Sequence, residues 1–352
     1  GNYSRFVINN LALLYPHNTY CLFSPKPSIG NTEITEASNI FYSFKNGFKP
    51  FWRSAGITND IQKEQIELYH GLSNELPFGI QKTGAKSIVT IHDLIFLKHP
   101  EFYPIIDRNI YDIKAKYACR KADRIVAVSE CTKRDIVELY GIDPEKIDVV
   151  YQGCFSIFKE RVENNAKEDI IKKHGLPARY LLSIGSIEDR KNILLIVKAL
   201  KQVPEMHFVA IGRQRKYAEK VRAYAKQNGL EDRVHLLSGI PLNDLPAILQ
   251  SSEIFIYPSL YEGFGIPIIE ALCSGVPVIG ATGSCLEEAG GPHSIYVNPH
   301  DEKELADAIN KILSEEDLRK KMISEGLEYV KRFSDKECTD NLMKVYEKTL
   351  SI

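Results

Sequence analysis

The sequence has no apolar run that approaches the ~18 residues needed to cross a membrane. Its first residues, GNYSRFVINN, also lack the order of a charged segment followed by an apolar one that is typical of a signal peptide. The seven cysteines are scattered and form no C-x-x-C pair, so neither a zinc site nor a disulfide framework is indicated. We therefore expect a cytoplasmic protein that does not cross a membrane.

A strong excess of charge of either sign is absent as well. The formal net charge is −1 at pH 7, so no overall field attracts nucleic acid, and any basic surface must be local. No D-x-D pair of carboxylates occurs, and we expect no metal site. The 352 residues are 44% hydrophobic and 26% charged, which is typical of a folded protein and long enough for two domains.

Short β-branched and aromatic runs alternate with segments of helical length along most of the chain. This alternation predicts an α/β protein with doubly wound parallel sheets, whose ligands bind at the carboxyl ends of the strands. The polar stretch 159–175 interrupts the alternation, so we place the domain junction there. The predicted domains are 1–158 and 176–330, and a C-terminal helix within 331–352 is expected to pack back on the first domain. The aromatic-rich stretch 40–56 has neither period and is interpreted as a loop-rich insertion or a flexible lobe.

One segment, 257–272, combines a buried strand, a glycine-rich turn and a helix with proline near its start. Gly263 and Gly265 would let the backbone approach a ligand closely, and the free N–H groups of the helix N-terminus would suit a phosphate. Glu270 lies in an otherwise apolar helix, where an unpartnered carboxylate is costly to bury. Two vicinal ribose hydroxyls would satisfy it.

Another strand end, at 185–192, places Arg190 and Lys191 beside each other before a helix. The helix dipole is already positive there, so two cations are unfavourable unless an anion lies between them.

Glu262 and Glu270, separated by seven residues around GFGIP, resemble the E-x7-E motif of retaining family-4 GT-B glycosyltransferases, the glycosyl transferases group 1. The resemblance is greatest to mannosyltransferase-like members and implies the GT-B fold, two Rossmann-like domains with a cleft between them. It also implies that Glu262 approaches the donor sugar, that Glu270 holds the nucleotide ribose, and that Arg190 and Lys191 hold the donor diphosphate.

The same resemblance implies further donor contacts and an acceptor side. Several segments at strand ends would contact the nucleotide, namely Gly212, Arg213, Ser238, Gly239, Gly263, Phe264 and Gly265. In the first half, His92 would face the donor sugar and acceptor, and Asp93 would orient the loop or the imidazole. Glu75 lies in a segment that would line the acceptor side. Gly1 resembles the end of the G-x-G-x-Y loop, although the strand that precedes this loop in the family is not present here.

The resemblance implies transfer of a hexose with retention, without a metal or other cofactor. GDP-mannose is favoured as donor, and a UDP-sugar remains open. The acceptor is expected to be a saccharide or a lipid-linked saccharide. A basic run would permit peripheral membrane contact, although a solvated helix face is the more common explanation for such a run; its members are Arg108, Lys114, Lys116, Arg120, Lys121 and Arg124. A sugar-nucleotide epimerase, a phosphorylase and a non-catalytic nucleotide-sugar-binding protein remain as alternatives.

Overall fold

A computed structural model of the chain describes residues 1–24, 37–44 and 52–352. The chain divides into two compact units, Gly1–Gly153 with Phe333–Ile352, and Cys154–Arg332. The boundary between the units, after Gly153, precedes the polar stretch 159–175, where the sequence analysis places it. The reason is that this stretch is held to the second unit: Lys173 and His174 both bind the carboxylate of Asp244, each at 2.8 Å.

The first unit contains a four-stranded parallel sheet in the order β3-β4-β5-β6 and a separate parallel pair, β1-β2. Its strands are β1 (Tyr20–Ser24), β2 (Ile40–Phe44), β3 (Leu68–Gly71), β4 (Lys86–Ile91), β5 (Arg124–Ala127) and β6 (Ile147–Val149). Its helices, in the first part of the chain, are α1 (Asn2–Leu14), α2 (Ile57–Lys63), α3 (Ile95–Lys98), α4 (Ile105–Lys121) and α5 (Glu130–Tyr140).

The interpretation of 40–56 as a loop-rich insertion is wrong for Ile40–Phe44, which forms β2. Its residues pair in parallel with β1, beginning with Tyr20 opposite Ile40. Phe41 is 37% exposed, so the strand has no clean alternation of apolar and polar residues. A π-helical turn, Trp52–Gly56, follows later, and residues 45–51 lie outside the part of the chain that the structure describes.

The second unit contains a six-stranded parallel sheet in the order β12-β11-β10-β7-β8-β9. Its strands are β7 (Tyr180–Ile184), β8 (His207–Ile211), β9 (Val234–Leu237), β10 (Ile254–Tyr257), β11 (Val278–Ala281) and β12 (Ile295–Val297). The helices are α6 (Asn164–Lys173), α7 (Ile193–Ala199), α8 (Tyr217–Gln227), α9 (Leu245–Gln250), α10 (Ile266–Cys273), α11 (Leu286–Gly290), α12 (Glu302–Ser314) and α13 (Glu316–Tyr329). The strand order reverses between β7 and β10, which are neighbours, so their carboxyl ends form a topological switch point.

The last helix, α14 (Asp335–Leu350), belongs to the first unit. Lys348 of this helix binds Asp148 at 3.0 Å, and the Tyr346 hydroxyl lies 2.7 Å from His70 Nδ1. Leu342 and Met343 join the apolar cluster that also contains Ile88 of β4.

Short 3-10 turns connect the elements of both units: Ile80–Lys82, Pro100–Phe102, Pro144–Lys146, Ser156–Lys159, Asp189–Lys191, Leu200–Gln202, Glu231–Arg233, Leu242–Asp244 and Val330–Phe333. The predicted α/β class with two parallel sheets is confirmed. Of the helices in the described ranges, none is both long and apolar enough to span a membrane.

Candidate active site

Two turns meet at the switch point of the second unit. One follows β7 and carries Arg190, and the other follows β10 and carries Glu262. The backbone N–H of Leu260 donates to the Arg190 carbonyl at 2.9 Å, and the Arg190 guanidinium donates to the Tyr261 carbonyl at 2.8 Å. Asn192 adds a bond from its side-chain amide to the Pro258 carbonyl at 3.2 Å. These bonds fix the two turns against each other.

The carboxylate of Glu262 lies between the two adjacent cations. Its Oε2 is 2.7 Å from Arg190 Nη1, and its Oε1 is 2.5 Å from Lys191 Nζ. The three side chains are only 11–15% exposed. Arg190 also pairs with Glu188 at 3.2 Å. The anion that the sequence requires between the cations is therefore present, and it is a carboxylate of the chain itself.

The electrostatics of this cluster keep its members charged. Burial raises the pKa of Glu262, but the charges of Lys191 and Arg190 outweigh burial and bring the net pKa below its usual value. Burial lowers the pKa of Lys191, yet Tyr257 and Glu262 reverse this and raise it overall. A buried ion pair of this kind is costly to break, because removing one partner leaves an uncompensated charge.

Tyr257, the last residue of β10, is a member of this cluster that the sequence reasoning missed. Its hydroxyl accepts a hydrogen bond from Lys191 Nζ at 2.5 Å, and the ammonium lies 4.7 Å from the centre of its ring. The side chain is buried, and burial, followed by the charge of Glu262, raises its pKa to about 12. The sequence signal that could have indicated it is a hydroxyl-bearing ring at the end of a strand, β10, whose other residues are apolar.

A cysteine contacts two carbonyl groups of the glycine-rich turn. Cys285 lies with its Sγ 2.5 Å from the Phe264 carbonyl and 3.1 Å from the Glu262 carbonyl. A Cβ on Gly265 would lie 2.9 Å from the Cβ of Ala289. Gly265 therefore lacks a side chain because α11 packs closely against it. The sequence analysis explains this glycine only by the approach of a ligand and does not include the packing. Phe264 is buried, so only its backbone is available to a ligand.

Glu270 lies one turn into α10 and is largely buried. Among the described residues, its carboxyl group has no hydrogen-bond or ion-pair partner. Burial, followed by the nearby Cys273 thiol, raises its pKa to about 8. This is the state of a carboxyl group that lacks donors, as the sequence analysis anticipates for a site that a ligand completes.

A pocket of about 470 Å³ opens at the carboxyl ends of β7, β8 and β9. It brings together four predicted nucleotide contacts, Gly212, Arg213, Ser238 and Gly239. Gly212 packs directly against Gly185, because a Cβ at this position would lie 1.8 Å from the Gly185 carbonyl oxygen. The pocket wall is therefore largely backbone and aliphatic, which suits the face and edge of a flat ring.

The remaining predicted residues lie in the first unit. His92 Nε2 donates to the Leu72 carbonyl at 2.9 Å, and its backbone N–H donates to Asn74 Oδ1 at 2.8 Å. Burial lowers the pKa of His92, so the ring is neutral at pH 7. The Tyr3 ring meets it edge-on, with 4.7 Å between ring centres.

Asp93 accepts from the Ile95 N–H at 3.1 Å at the start of α3, and thus orients its own loop. Glu75 pairs with Lys114 at 2.9 Å. Gly1 is exposed and precedes α1, where its carbonyl accepts from the Arg5 N–H at 3.1 Å. The roles of His92, Glu75 and Gly1 in substrate binding stay predictions.

Comparison with known proteins agrees with this geometry. Residues 166–329 match the family described as Glycosyl transferases group 1, and residues 19–154 match Glycosyltransferase Family 4. The O-antigen chain mannosyltransferase B of Escherichia coli is 28% identical over 80% of this chain and 74% of its own length. The O-antigen chain mannosyltransferase RfbU of Salmonella typhimurium strain LT2 is 30% identical over 64% of this chain and 60% of its own.

A crystal structure of a glycosyltransferase from Rickettsia africae ESF-5 superposes with a TM-score of 0.77, at 21% identity, over 99% of this chain and 94% of that one. The fold and the family matches together define a GT-B glycosyltransferase. Residues 166–329 thus resemble the group 1 glycosyl transferases, as the sequence analysis predicts, and the chain is a glycosyltransferase, an enzyme that transfers a sugar. Glycosyltransferases of this class bind a nucleotide-sugar donor and a saccharide acceptor.

Proposed function

We propose that the protein transfers a mannosyl group from GDP-mannose to a saccharide or lipid-linked saccharide, with retention at the anomeric carbon and without a divalent metal. The observation that carries the proposal is the buried cluster of Arg190, Lys191 and Glu262 at the switch point of the second unit. The names of the two O-antigen mannosyltransferases support mannose as the sugar.

In the proposed donor complex, the diphosphate binds to Arg190 and Lys191 and shares these cations with Glu262. The N-terminus of α10 adds free N–H groups and a partial positive charge. Glu270 accepts hydrogen bonds from the ribose hydroxyls, which supply the donors that its carboxyl group lacks. The pocket beside Gly212 and Ser238 receives the base. Because this wall is largely backbone, a UDP-sugar is the second donor to be tested.

In the proposed reaction, the acceptor oxygen forms a bond to the anomeric carbon on the face from which the diphosphate departs. The bond between that carbon and the diphosphate oxygen breaks, and the acceptor proton passes to the departing oxygen. Retention by double displacement would need a carboxylate positioned as a nucleophile on the opposite face. Glu262 is instead held by Lys191 and Arg190, which favours the same-face route. The two cations stabilise the charge that develops on the leaving group.

The test measures transfer from GDP-mannose and from UDP-hexoses to a panel of saccharide and polyprenol-linked acceptors, and determines the anomeric configuration of the product by NMR. We expect transfer from GDP-mannose and an α-linked product from the α-linked donor. A β-linked product would refute retention. Transfer from UDP-hexoses alone would refute mannose while leaving the glycosyltransferase assignment intact.

A further inference from the structure

Two cysteines that are 119 positions apart in the sequence meet in the second unit. The Sγ of Cys154, the first residue of this unit, donates a hydrogen bond to the Sγ of Cys273 at 3.6 Å. All seven cysteines lie in the described ranges, and each of them is a thiol. The scattered positions of the cysteines in the sequence do not predict this pair, because the fold brings the two together.

The two segments that carry these thiols are bonded to each other. Cys273 is the last residue of α10, the helix that also carries Glu270. The hydroxyl of the next residue, Ser274, donates to the carbonyl of Phe158 at 3.3 Å. Phe158 is fully buried in the turn that follows Cys154, so it anchors that turn to the end of α10. The two sulfur atoms are therefore held close together before any reagent arrives.

The two thiols differ in their access to solvent. Cys154 is only 3% exposed, whereas Cys273 is partly exposed. A dissolved reagent therefore reacts with Cys273 first, and Cys154 lies where it can attack the product. An accessible thiol next to a second, resolving thiol is a common arrangement of redox-sensitive cysteines.

We propose that Cys154 and Cys273 form a modification site, at which a small-molecule disulfide such as oxidised glutathione converts the two thiols into a disulfide bond. In the first step, the Cys273 thiolate attacks one sulfur of the reagent, a mixed disulfide forms, and one small thiol leaves. In the second step, the Cys154 thiolate attacks Cys273 Sγ and expels the other small thiol. The protein loses two electrons and two protons, and the reagent takes them up as it is reduced to two thiols.

The ionisation of Cys154 limits the rate of this reaction. The hydrogen bond with Cys273, followed by burial, raises the pKa of the Cys154 thiol above its ordinary value. The positive charge of Lys159 opposes this rise in pKa, and the negative charge of Glu270 adds to it. Because the thiolate is the attacking form, we expect the bond to form slowly at pH 7 and faster as the pH increases.

A metal centre and a purely structural pair are the two alternatives. Structural zinc sites use four ligands, but in the described ranges no group of three or more His, Cys, Asp or Glu side chains could hold a metal ion. A structural pair would consist of two small apolar side chains that pack together, as buried cysteines often do. A structural pair predicts no bond between the two sulfur atoms on oxidation. The proposal goes beyond sugar transfer and does not depend on it, because the bond is detected without donor or acceptor.

The experiment treats the purified chain with oxidised glutathione at about pH 8.5, where more of each thiol is ionised. The remaining thiols are then alkylated, and linked peptides are identified by mass spectrometry. The wild type should give one peptide pair joined through Cys154 and Cys273, and dithiothreitol should break this bond. Because the bond closes a long loop, the thermal unfolding midpoint of the oxidised chain should be higher by roughly 5 °C or more.

Single replacements separate the two steps. Cys154→Ser should stop at the mixed disulfide, with glutathione retained on Cys273, and Cys154→Ala provides a second test because serine adds a polar group at a buried position. Cys273→Ser should leave the buried Cys154 unmodified. Cys21→Ser is the matched control: Cys21 is the other partly exposed cysteine, and its loss should not change the rate at which the bond forms. Unfolding midpoints of the reduced variants close to that of the reduced wild type show that each is folded.

Three results would overturn the proposal. The wild type could accumulate glutathione on Cys273 without forming the bond to Cys154, as a structural pair predicts. Cys273 could become linked to Cys21 as often as to Cys154, which would show that the pair has no preference. Finally, a bond that forms only in urea, or that lowers the unfolding midpoint, would show that the two thiols react only in the unfolded chain.

Discussion

Glu262 acts as the counter-ion that allows two cations to lie side by side at a helix start. Without it, Arg190 and Lys191 would repel each other and the positive end of the helix dipole. Lys191 is held at the same time by Tyr257, so its ammonium is positioned before any ligand arrives. A donor diphosphate then meets cations that are already ordered, and less conformational entropy is lost on binding.

The first prediction concerns Lys191→Ala. Removing the ammonium deprives the leaving diphosphate of a charged hydrogen bond, which should cost ~2–4 kcal/mol in transition-state stabilisation. Nucleoside-diphosphate binding should weaken as well. Steady-state kinetics and calorimetric titration measure both effects. The control is Lys198→Ala, which removes a lysine from the last turn of α7, whereas Lys191 precedes this helix. Turnover within a factor of two of wild type would remove Lys191 from the site.

The second prediction follows from the pKa of about 8 of Glu270. The folded carboxyl group retains a proton that the unfolded chain loses near pH 4.5, so its contribution makes the protein less stable as the pH rises from about 4.5 to about 8. Ribose hydroxyls that donate to Glu270 favour its ionised form. Nucleotide affinity should therefore increase with pH up to about 8, by as much as about tenfold per pH unit.

Glu270→Gln should abolish this increase and should weaken binding chiefly at the alkaline end. Calorimetric titration with nucleoside diphosphates in buffers of different ionisation enthalpy would also detect the released proton. Glu287→Gln, an exposed carboxylate on α11, should keep the wild-type slope. An identical pH dependence in wild type and Glu270→Gln would show that the ribose assignment is wrong.

Single residues of the site were predictable from the sequence where their chemistry was unfavourable by itself. Two adjacent cations at a helix start, and a carboxylate in an apolar helix, are each unfavourable without a partner. In the structure, Glu262 is the partner of the two cations. Tyr257 carried no such conflict, because a tyrosine at the end of a buried strand is ordinary. The packing role of Gly265 against Ala289 depends on a contact with a later helix, which no local pattern contains.

At the scale of elements, the turns after β7 and β8 form one side of the pocket that we assign to the nucleotide base. Gly212 lies against the carbonyl of Gly185, so the ends of these neighbouring strands approach more closely than any side chain would allow. Ile187 and Gln214 form an isolated bridge just beyond this contact. The two turns together form this side of the pocket, and residues that follow β9, such as Ser238 and Gly239, complete its wall.

The third prediction is that Gly212→Ala destabilises the second unit and weakens nucleotide binding. A Cβ 1.8 Å from a backbone oxygen forces the two strand ends apart, and overpacking of this kind costs about 1–3 kcal/mol. Urea unfolding measures the stability, and thermal shift with nucleoside diphosphates measures the binding. Ser186→Ala, in the same turn, should leave the unfolding midpoint unchanged. An unaltered midpoint for Gly212→Ala would show that the strand ends separate without cost.

The alternation of short apolar runs with helical segments predicted the elements, because buried parallel strands are apolar on both faces. It did not predict which strands are neighbours. The pairing of β7 with β10, on which the site depends, joins residues more than 70 positions apart, such as Leu181 and Ile254. The pair β1-β2 escaped prediction because its aromatic residues are partly exposed and give no regular period.

At the scale of the whole molecule, the chain returns to the first unit after completing the second. The last 20 residues, Phe333–Ile352, pack with Gly1–Gly153, through contacts such as Lys348 with Asp148. The contacts that we propose for the donor nucleotide lie in one continuous segment, Cys154–Arg332. All the groups that we assign to the diphosphate, the ribose and the base therefore come from a single unit.

The fourth prediction is that activity survives removal of divalent metal. Many nucleotide-sugar enzymes neutralise the diphosphate with Mg²⁺ or Mn²⁺, the metal supplying charge stabilisation as a Lewis acid. In this chain we assign that role to Arg190, Lys191 and the N-terminus of α10, which carries about half a positive charge. The two cations are held within 2.5–2.7 Å of Glu262, so they are ordered and ionised before the donor binds. We therefore expect the donor to bind without a metal.

Initial rates of sugar transfer should therefore be unchanged by excess EDTA, and added Mn²⁺ should not raise them several-fold. The Lys191→Ala variant provides the internal comparison: if the lysine replaces a metal, millimolar Mg²⁺ should partly restore the activity of the variant while leaving that of the wild type unaffected. Loss of wild-type activity on chelation, with recovery on adding metal, would mean that carboxylates other than those described bind an ion. The assignment of the leaving-group charge to Arg190 and Lys191 would then be wrong.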